Sequence, residues 1–453
     1  MADVIAAIST GNQLSAIGIL RLSGPGCAQV AGQVFQPAGG YPLAEAPNRK
    51  LVLGTLRDAR GRVLDQCLGV YTRGPGSYTG EDTVELQCHG SPAVLAAGLE
   101  ALYAAGARPA RRGEFTKRAF LNGRMDLTQA EAVIDLIEAE SADAAANAAG
   151  QVGGALLRQL EPVYSQLTDL CSHFHAVLDY PDEDIDDFRL TAYAGTLARC
   201  QGELENMLAT AGQGRVLKRG VQAALLGKPN VGKSSLLNAL AGFPRAIVTA
   251  QPGTTRDTVE EPVLVGSVRL RLVDTAGIRQ THDEIEAMGV ERARQAAQGA
   301  DLALFVCDGS RPLDQEDQAA MAAALTAPQA ICLLNKQDLP QVVDRGALPF
   351  ATVVPICAKT GQGLEALAPV LEEMFGGGAP CDGSVLTNVR QVEAMGRAVR
   401  ALVQAQTALV AGFTPDAVLT DVEGAMEALG ELSGRTVRQD ITDRIFERFC
   451  VGK

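Results

Sequence analysis

The segment Gly227-Lys228-Pro229-Asn230-Val231-Gly232-Lys233-Ser234 fits GxxxxGK[ST], directly after the apolar run Ala223 to Leu226 and before the helical run Leu236 to Leu240. A glycine-rich turn between a buried strand and a helix commits this stretch to a parallel sheet with helices on its faces. Further apolar runs at Leu270 to Val273, Leu302 to Val306 and Ile331 to Leu334, each a helix length apart, predict the rest of that sheet. Chemically, the glycines let backbone N–H groups wrap phosphates, Lys233 would neutralise β/γ oxygens, and the Ser234 hydroxyl suits Mg²⁺.

Four later motifs extend this site. Asp274-Thr275-Ala276-Gly277 follows a strand, so its carboxylate can reach a magnesium shell while Gly277 offers an N–H to a γ-phosphate. Between them, Gly253-Thr254-Thr255-Arg256-Asp257 offers a second metal hydroxyl through Thr255. Asn335-Lys336-Gln337-Asp338 selects the base: guanine presents N1–H and an exocyclic amine side by side to a carboxylate, whereas adenine would leave Asp338 unpaired. Cys357-Ala358-Lys359 stands where such domains usually carry Ser-Ala-Lys, with the Ala358 N–H expected at the guanine carbonyl. Together they predict GTP as the nucleotide.

At 453 residues the chain is long for one core. Changes of texture predict an α+β domain over 1–120, a helical part over 121–214, the nucleotide domain over 215–378 and a second helical part over 379–453. The fold class expected is α/β and α, with a Ras-like, mainly parallel sheet inserted between helical halves that pack on each other. Thr128 and Glu131 read as a capping box before the stripe Ala130, Val133, Ile134 and Ile137. Gly212-Gln213-Gly214, followed by Lys218-Arg219-Gly220, reads as a hinge, and Gly376 to Pro380 as the closing linker. Thr414-Pro415 reads as N-cap and N1 of a last helix.

Net charge of −13, from 40 basic and 53 acidic residues, repels polyanions overall, so nucleic acid contact must be local. Ten cysteines without a CxxC pair fit reduced thiols, and no 18-residue apolar run or leader pattern is present, which predicts a cytoplasmic protein. Cys171, His173 and His175 resemble a metal cluster, but His173 points away from the face that the other two share. The acidic run from Asp179 through Asp187 reads as solvated. Arg108, Arg111, Arg112, Lys117, Arg118 and Arg124 form a basic stretch suited to phosphate or to solvent. Cys450 is either a reactive thiol or a small buried residue beside Phe446 and Phe449, with packing the favoured reading.

Beyond the nucleotide motifs, the chain ends in Phe449-Cys450-Val451-Gly452-Lys453, similar to a terminal C-[ILV]-G-K. It also contains Thr79-Gly80-Glu81-Asp82, His89-Gly90 and Gly113 to Asn122. On these residues it resembles the MnmE (TrmE) family of tRNA-modification GTPases along essentially its whole length. That resemblance implies an enzyme acting with the flavoprotein MnmG to add a carboxymethylaminomethyl or aminomethyl group at C5 of the wobble uridine of certain tRNAs. A folate would supply the one-carbon unit, bound at Arg21, Glu81, Arg124 and Lys453 with Cys450 nearby, and the N-terminal domain would form a homodimer. The resemblance also implies GTP contacts from Asn230, Val231, Gly232, Lys233, Ser234, Ser235, Thr249, Ala250, Gln251, Pro252, Gly253, Thr254 and Thr255, then Asp274 to Gly277, Asn335, Lys336, Asp338 and Cys357 to Lys359. Ile278 replaces the glutamine that orients water in Ras-like enzymes, and the resemblance points to Glu286 instead. It implies K⁺ in place of an arginine finger, held by Asn230, Thr249, Gln251 and Thr254, with Mg²⁺ at Ser234 and Thr255. The alternatives are a ribosome-assembly GTPase and a GTP switch without modification chemistry.

Overall fold

The computed structural model describes residues 3–11, 13–179, 190–241, 260–274, 285–375, 381–435, 445–447 and 449–452. Its contacts divide the chain into one unit of residues 1–134, 151–189 and 400–453, and another of 135–150 and 190–399.

The first unit begins with β1 (Ile5–Ile8), β2 (Ser15–Ser23), α1 (Cys27–Gly32), β3 (Phe35–Pro37), β4 (Leu51–Arg57), β5 (Val63–Thr72), β6 (Thr83–Gly90), α2 (Pro92–Ala104) and β7 (Arg108–Pro109). The strands form one sheet in the order β3-β4-β5-β6-β2-β1-β7, antiparallel except for β1 with β7. Period-two alternation decides its faces. Leu20, Leu22, Leu56, Val84 and Leu86 turn inward with Cys27 and Ala31 of α1 and Leu95 and Leu102 of α2. Ile17, Leu51, Leu53 and Leu68 remain exposed on the other side.

Next come α3 (Glu114–Leu121), α4 (Leu127–Ile137), α5 (Ala142–Val152) and α6 (Ala155–Asp179). The start of α4 differs from the sequence expectation. Asp126 caps it, accepting from the Gln129 N–H at 3.0 Å while Gln129 Oε1 accepts from the Asp126 N–H at 2.9 Å. The capping box therefore lies two residues upstream of Thr128 and Glu131, which are buried inside the helix. Ala130, Val133 and Ile134 of the stripe meet Phe446 and Phe449, whereas Ile137, expected with them, is exposed because the helix ends there away from that core.

The second unit contains α7 (Leu190–Ala209), α8 (Ala211–Arg219), β8 (Val221–Leu226), α9 (Lys233–Ala241), β9 (Glu260–Val265), β10 (Val268–Asp274), α10 (Ile285–Gly299), β11 (Leu302–Asp308), α11 (Gln315–Ala324), β12 (Gln329–Asn335), β13 (Thr352–Pro355) and α12 (Leu367–Phe375). Sheet order is β13-β12-β11-β8-β10-β9, all parallel except the β9 edge. Both faces are buried: Leu302, Leu304 and Val306 enter one core, Ala303, Phe305 and Cys307 the other. This explains the near-continuous apolar runs in the sequence.

Gly212 to Gly214 lie within α8 rather than in a hinge, and the break falls at Gly220, φ 76°. Gly214 is a packing residue, since a Cβ there would stand 1.8 Å from the Leu386 carbonyl oxygen. The chain returning from the sheet is held here. Asn147, 1% exposed, donates to the Val385 carbonyl at 3.3 Å and accepts from the Gly383 N–H at 3.2 Å. Gly376 to Pro380 lie outside the described residues. The chain then forms α13 (Val389–Val410) and α14 (Pro415–Ser433), the latter starting at Thr414-Pro415 as expected and packing on α6. The two helical halves thus meet through α5 and residues 383–385, and through α6 and α14. Among the described residues no helix is long and apolar enough to cross a membrane.

Candidate functional site

The carboxyl ends of neighbouring parallel strands bring the nucleotide motifs together, where open α/β sheets place their ligands. Asp274 pairs with Leu225 across β10 and β8, and Asn335 with Asp308 across β12 and β11. The loop after β8 has Gly227, Asn230 and Gly232 at φ 137°, 63° and 105°. A Cβ on Gly227 would meet the Val306 carbonyl oxygen at 2.2 Å, and one on Gly232 would meet Asn335 Nδ2 at 2.3 Å. Those contacts, as much as the turn, require glycine. Lys233 Nζ donates to the carbonyls of Gly227 and Lys228 at 2.6 and 2.7 Å, so its charge stands over the loop. Ser234 and Ser235 are exposed at the start of α9. The donor set suits a Mg²⁺-bound polyphosphate: a cation over a concave loop, a hydroxyl beside it, and N–H groups at a helix start.

Asn335 joins this loop to the Cys357-Ala358-Lys359 segment, a role the motif alone did not reveal. It is 3% exposed, donates from Nδ2 to the Val231 carbonyl at 2.7 Å, and accepts at Oδ1 from the Ala358 N–H at 2.9 Å. Lys336, φ 64°, reaches Asp308 at 2.6 Å. Burial raises the Asp308 carboxyl, but Lys336 and Ser310 outweigh it and hold it below its ordinary value. Asp338 is exposed, and the buried Cys357 thiol donates to its Oδ1 at 3.3 Å, so cysteine serves where serine is usual. Lys359 is exposed beside them. Also missed in the sequence was Lys228: its ammonium pairs with Asp314 and lies 3.6 Å from Glu316 and 3.5 Å from Asp317, fastening the loop to the capped start of α11. Thr249 to Thr255, Thr275 to Gly277, Ile278 and Lys453 lie outside the described residues, as do the side chains of Asp274 and Glu286.

In the N-terminal sheet, Arg21, Glu81 and Arg124 converge on the β5–β6 connection. Arg21 pairs with Glu85 at 2.8 Å, its guanidinium 5.6 Å from the Tyr78 ring centre. Glu81 accepts from Ser23 at 2.9 Å and from Arg118 at 2.8 Å. Arg124 donates to the Ser77 carbonyl at 3.1 Å, and Asn122 to that of Thr79 at 2.7 Å. A groove of ≈ 790 Å³ opens beside Arg124, lined also by Lys117, Phe120, Ser433 and Arg435.

The basic stretch is partly spent on structure. Arg108 binds Asp3 and Glu114, and Arg118 binds Asp3, Glu81 and Glu114, whereas Arg111, Arg112 and Arg124 are exposed. The C-terminal tail docks on the same unit. The Cys450 carbonyl accepts from Gly113 at 3.3 Å, Val451 bridges Arg112, and Ser9 donates to the Gly452 carbonyl at 3.0 Å. The Cys450 side chain is exposed, which overturns its favoured packing role: Phe446 and Phe449 fill the core and turn it outward. Cys171 is buried with its sulfur 3.5 Å from that of Met426, and His175 pairs with Glu423 at 3.0 Å, so these residues serve helix packing.

Two family descriptions match the chain: GTP-binding protein TrmE N-terminus over residues 4–124 and MnmE helical domain over residues 127–450. The tRNA modification GTPase MnmE of Heliobacterium modesticaldum is 41% identical, covering 100% of this chain and 99% of that protein. That of Chloroflexus aurantiacus is 42% identical over 100% of both. Among solved structures, the G domain of the T. maritima FeoB iron transporter matches 34% of this chain and 97% of its own length, at 28% identity and a TM-score of 0.27. The glycine-rich loop after β8, its bridge to Asn335 and a likeness spanning the whole chain agree, and the chain belongs to the MnmE (TrmE) family of tRNA modification GTPases.

Proposed function

We propose that this chain hydrolyses GTP to drive modification of tRNA at the wobble uridine, acting with the flavoprotein MnmG in the cytoplasm. The observation that supports this reading is the Asn335 bridge, which ties the loop proposed to hold the triphosphate to the segments proposed to read guanine. Lys233 neutralises the phosphates, Ser234 and Thr255 hold Mg²⁺, and Asp338 selects guanine. Glu286 positions the attacking water in the absence of a glutamine at Ile278. Asn230, Thr249, Gln251 and Thr254 hold K⁺, which supplies the positive charge that an arginine finger supplies elsewhere.

The N-terminal unit over 1–120 binds the folate at Arg21, Glu81, Arg124 and Lys453, with the groove beside Arg124 admitting an anionic tail. Supporting this, the cationic guanidiniums and the Tyr78 ring frame one loop. The exposed apolar face of Ile17, Leu51, Leu53 and Leu68 supports a homodimer through this domain. The G domain over 215–378 lies between the helical parts 121–214 and 379–453. The test is GTP turnover in K⁺ and in Na⁺, with wild type and Glu286→Ala. Faster turnover in K⁺, and loss of turnover with GTP affinity kept in the variant, are expected; equal rates in both salts and an active variant would remove the mechanism.

A further inference from the structure

Away from both sites, the β5–β6 hairpin sets three metal-ligating side chains on the core face of the N-terminal sheet. The ladder pairs Leu68 with Gln87 and Gly69 with Leu86, so Cys67 and Cys88 fall opposite one another, and Asp65 stands two residues along on the same face. Cys67 and Cys88 are 4% and 2% exposed, and the Cys88 thiol donates to the Leu86 carbonyl at 3.7 Å. One ligand atom from each of Asp65, Cys67 and Cys88 lies within 4.8 Å of the others. In a tetrahedral zinc site, bonds of about 2.3 Å to sulfur and about 2.0 Å to oxygen set such atoms about 3.5 to 3.8 Å apart. Closure therefore needs a movement of roughly 1 Å, within the reach of χ1 adjustments.

The carboxylate is already oriented. Asp65, its side chain 9% exposed, accepts from the His89 N–H at 2.8 Å through Oδ2, and its Oδ1 lies 2.8 Å from His89 Nδ1. Support of this kind is what ligating groups carry in an outer shell. The carboxylate and the two buried thiols thus stand together on one face of the hairpin. We propose that Asp65, Cys67 and Cys88 form a binding site for a thiophilic divalent cation of the Zn²⁺ class, with His89 supporting the carboxylate and water completing the tetrahedron. Uptake replaces two S–H protons by two metal–sulfur bonds and releases both protons to solvent, with no change of oxidation state. The ion would cross-link the hairpin whose connection carries Glu81, but the site does not depend on folate or GTP.

The test uses the full chain, reduced and stripped with a chelator, then titrated with Cd²⁺ and followed by thiolate-to-metal charge-transfer absorption. One equivalent per chain with the intensity of two thiolates is expected. Cys67→Ser with Cys88→Ser should abolish the band, while Cys381→Ser with Cys450→Ser, the cysteines open to solvent, should keep it. His89→Ala, at the surface, should weaken binding about 10- to 100-fold; it carries the test if the double variant does not fold. No band in wild type, a band that survives loss of Cys67 and Cys88, or unchanged affinity in His89→Ala would overturn the proposal.

Discussion

Replacing Asn335 with alanine removes two hydrogen bonds at once and leaves their partners, the Val231 carbonyl and the Ala358 N–H, buried in a site only 3% exposed at its centre. Each orphaned buried group costs about 1 to 3 kcal/mol. Water entering from the nucleotide side offsets part of this, so the lower half of the summed range applies, about 3 kcal/mol. That corresponds to a roughly hundredfold rise in local opening. Hydrogen exchange of the nucleotide-free chain, read on peptides covering Gly227 to Ser234 and Ile331 to Ala358, measures it without requiring the whole chain to unfold in one step. The variant should exchange about a hundredfold faster there and unchanged over Ile5 to Gly90. Asp338→Ala provides the contrast: its carboxylate is exposed, so it should lose GTP affinity with little change in exchange. Asn335→Ala exchanging at the wild-type rate in the empty chain would refute the bridge.

Gly214→Ala should destabilise the second unit by about 1 to 3 kcal/mol, because a backbone oxygen at 1.8 Å cannot turn aside as a side chain can. The helix-propensity gain of about 1 kcal/mol is the smaller effect, and chemical denaturation decides the sign. Acid should loosen the first unit. The hydrogen bond from Arg108 holds the Asp3 carboxyl down at about 2; for Glu114, burial raises the carboxyl but Arg108 and the Arg111 N–H bring it below its usual value. Lowered carboxyls stabilise above their unfolded pKa, and that contribution is lost as pH falls from about 4 toward 2. Melting curves across that window should fall less steeply for Asp3→Asn; identical slopes would show that these pairs contribute nothing.

The parallel sheet was legible because strands buried on both faces read as unbroken apolar runs, and the phosphate loop because its glycines sit at fixed offsets. Position along a helix was harder to read. Thr128 with Glu131 and Asp126 with Gln129 both satisfy the capping pattern, and burial of Thr128 settles which one caps. Gly214 looked like a hinge because a glycine needed for close packing is indistinguishable in sequence from one needed for freedom. Asp3, Glu81 and Asp314, which pair with Arg108, Arg118 and Lys228, lie 105, 37 and 86 residues from them, beyond any local pattern, whereas Glu114 stands only 6 and 4 residues from the two arginines. Cys450 faces solvent since two neighbouring phenylalanines occupy the core it was expected to share.

Equilibrium titration of the purified chain with GTP and ATP in Mg²⁺, repeated on Asp338→Asn, addresses base selection most directly. GTP should bind at least about a hundredfold more tightly than ATP, and the variant should lose that preference. Equal affinity of the wild-type chain for the two nucleotides, or binding of neither, would contradict the site described.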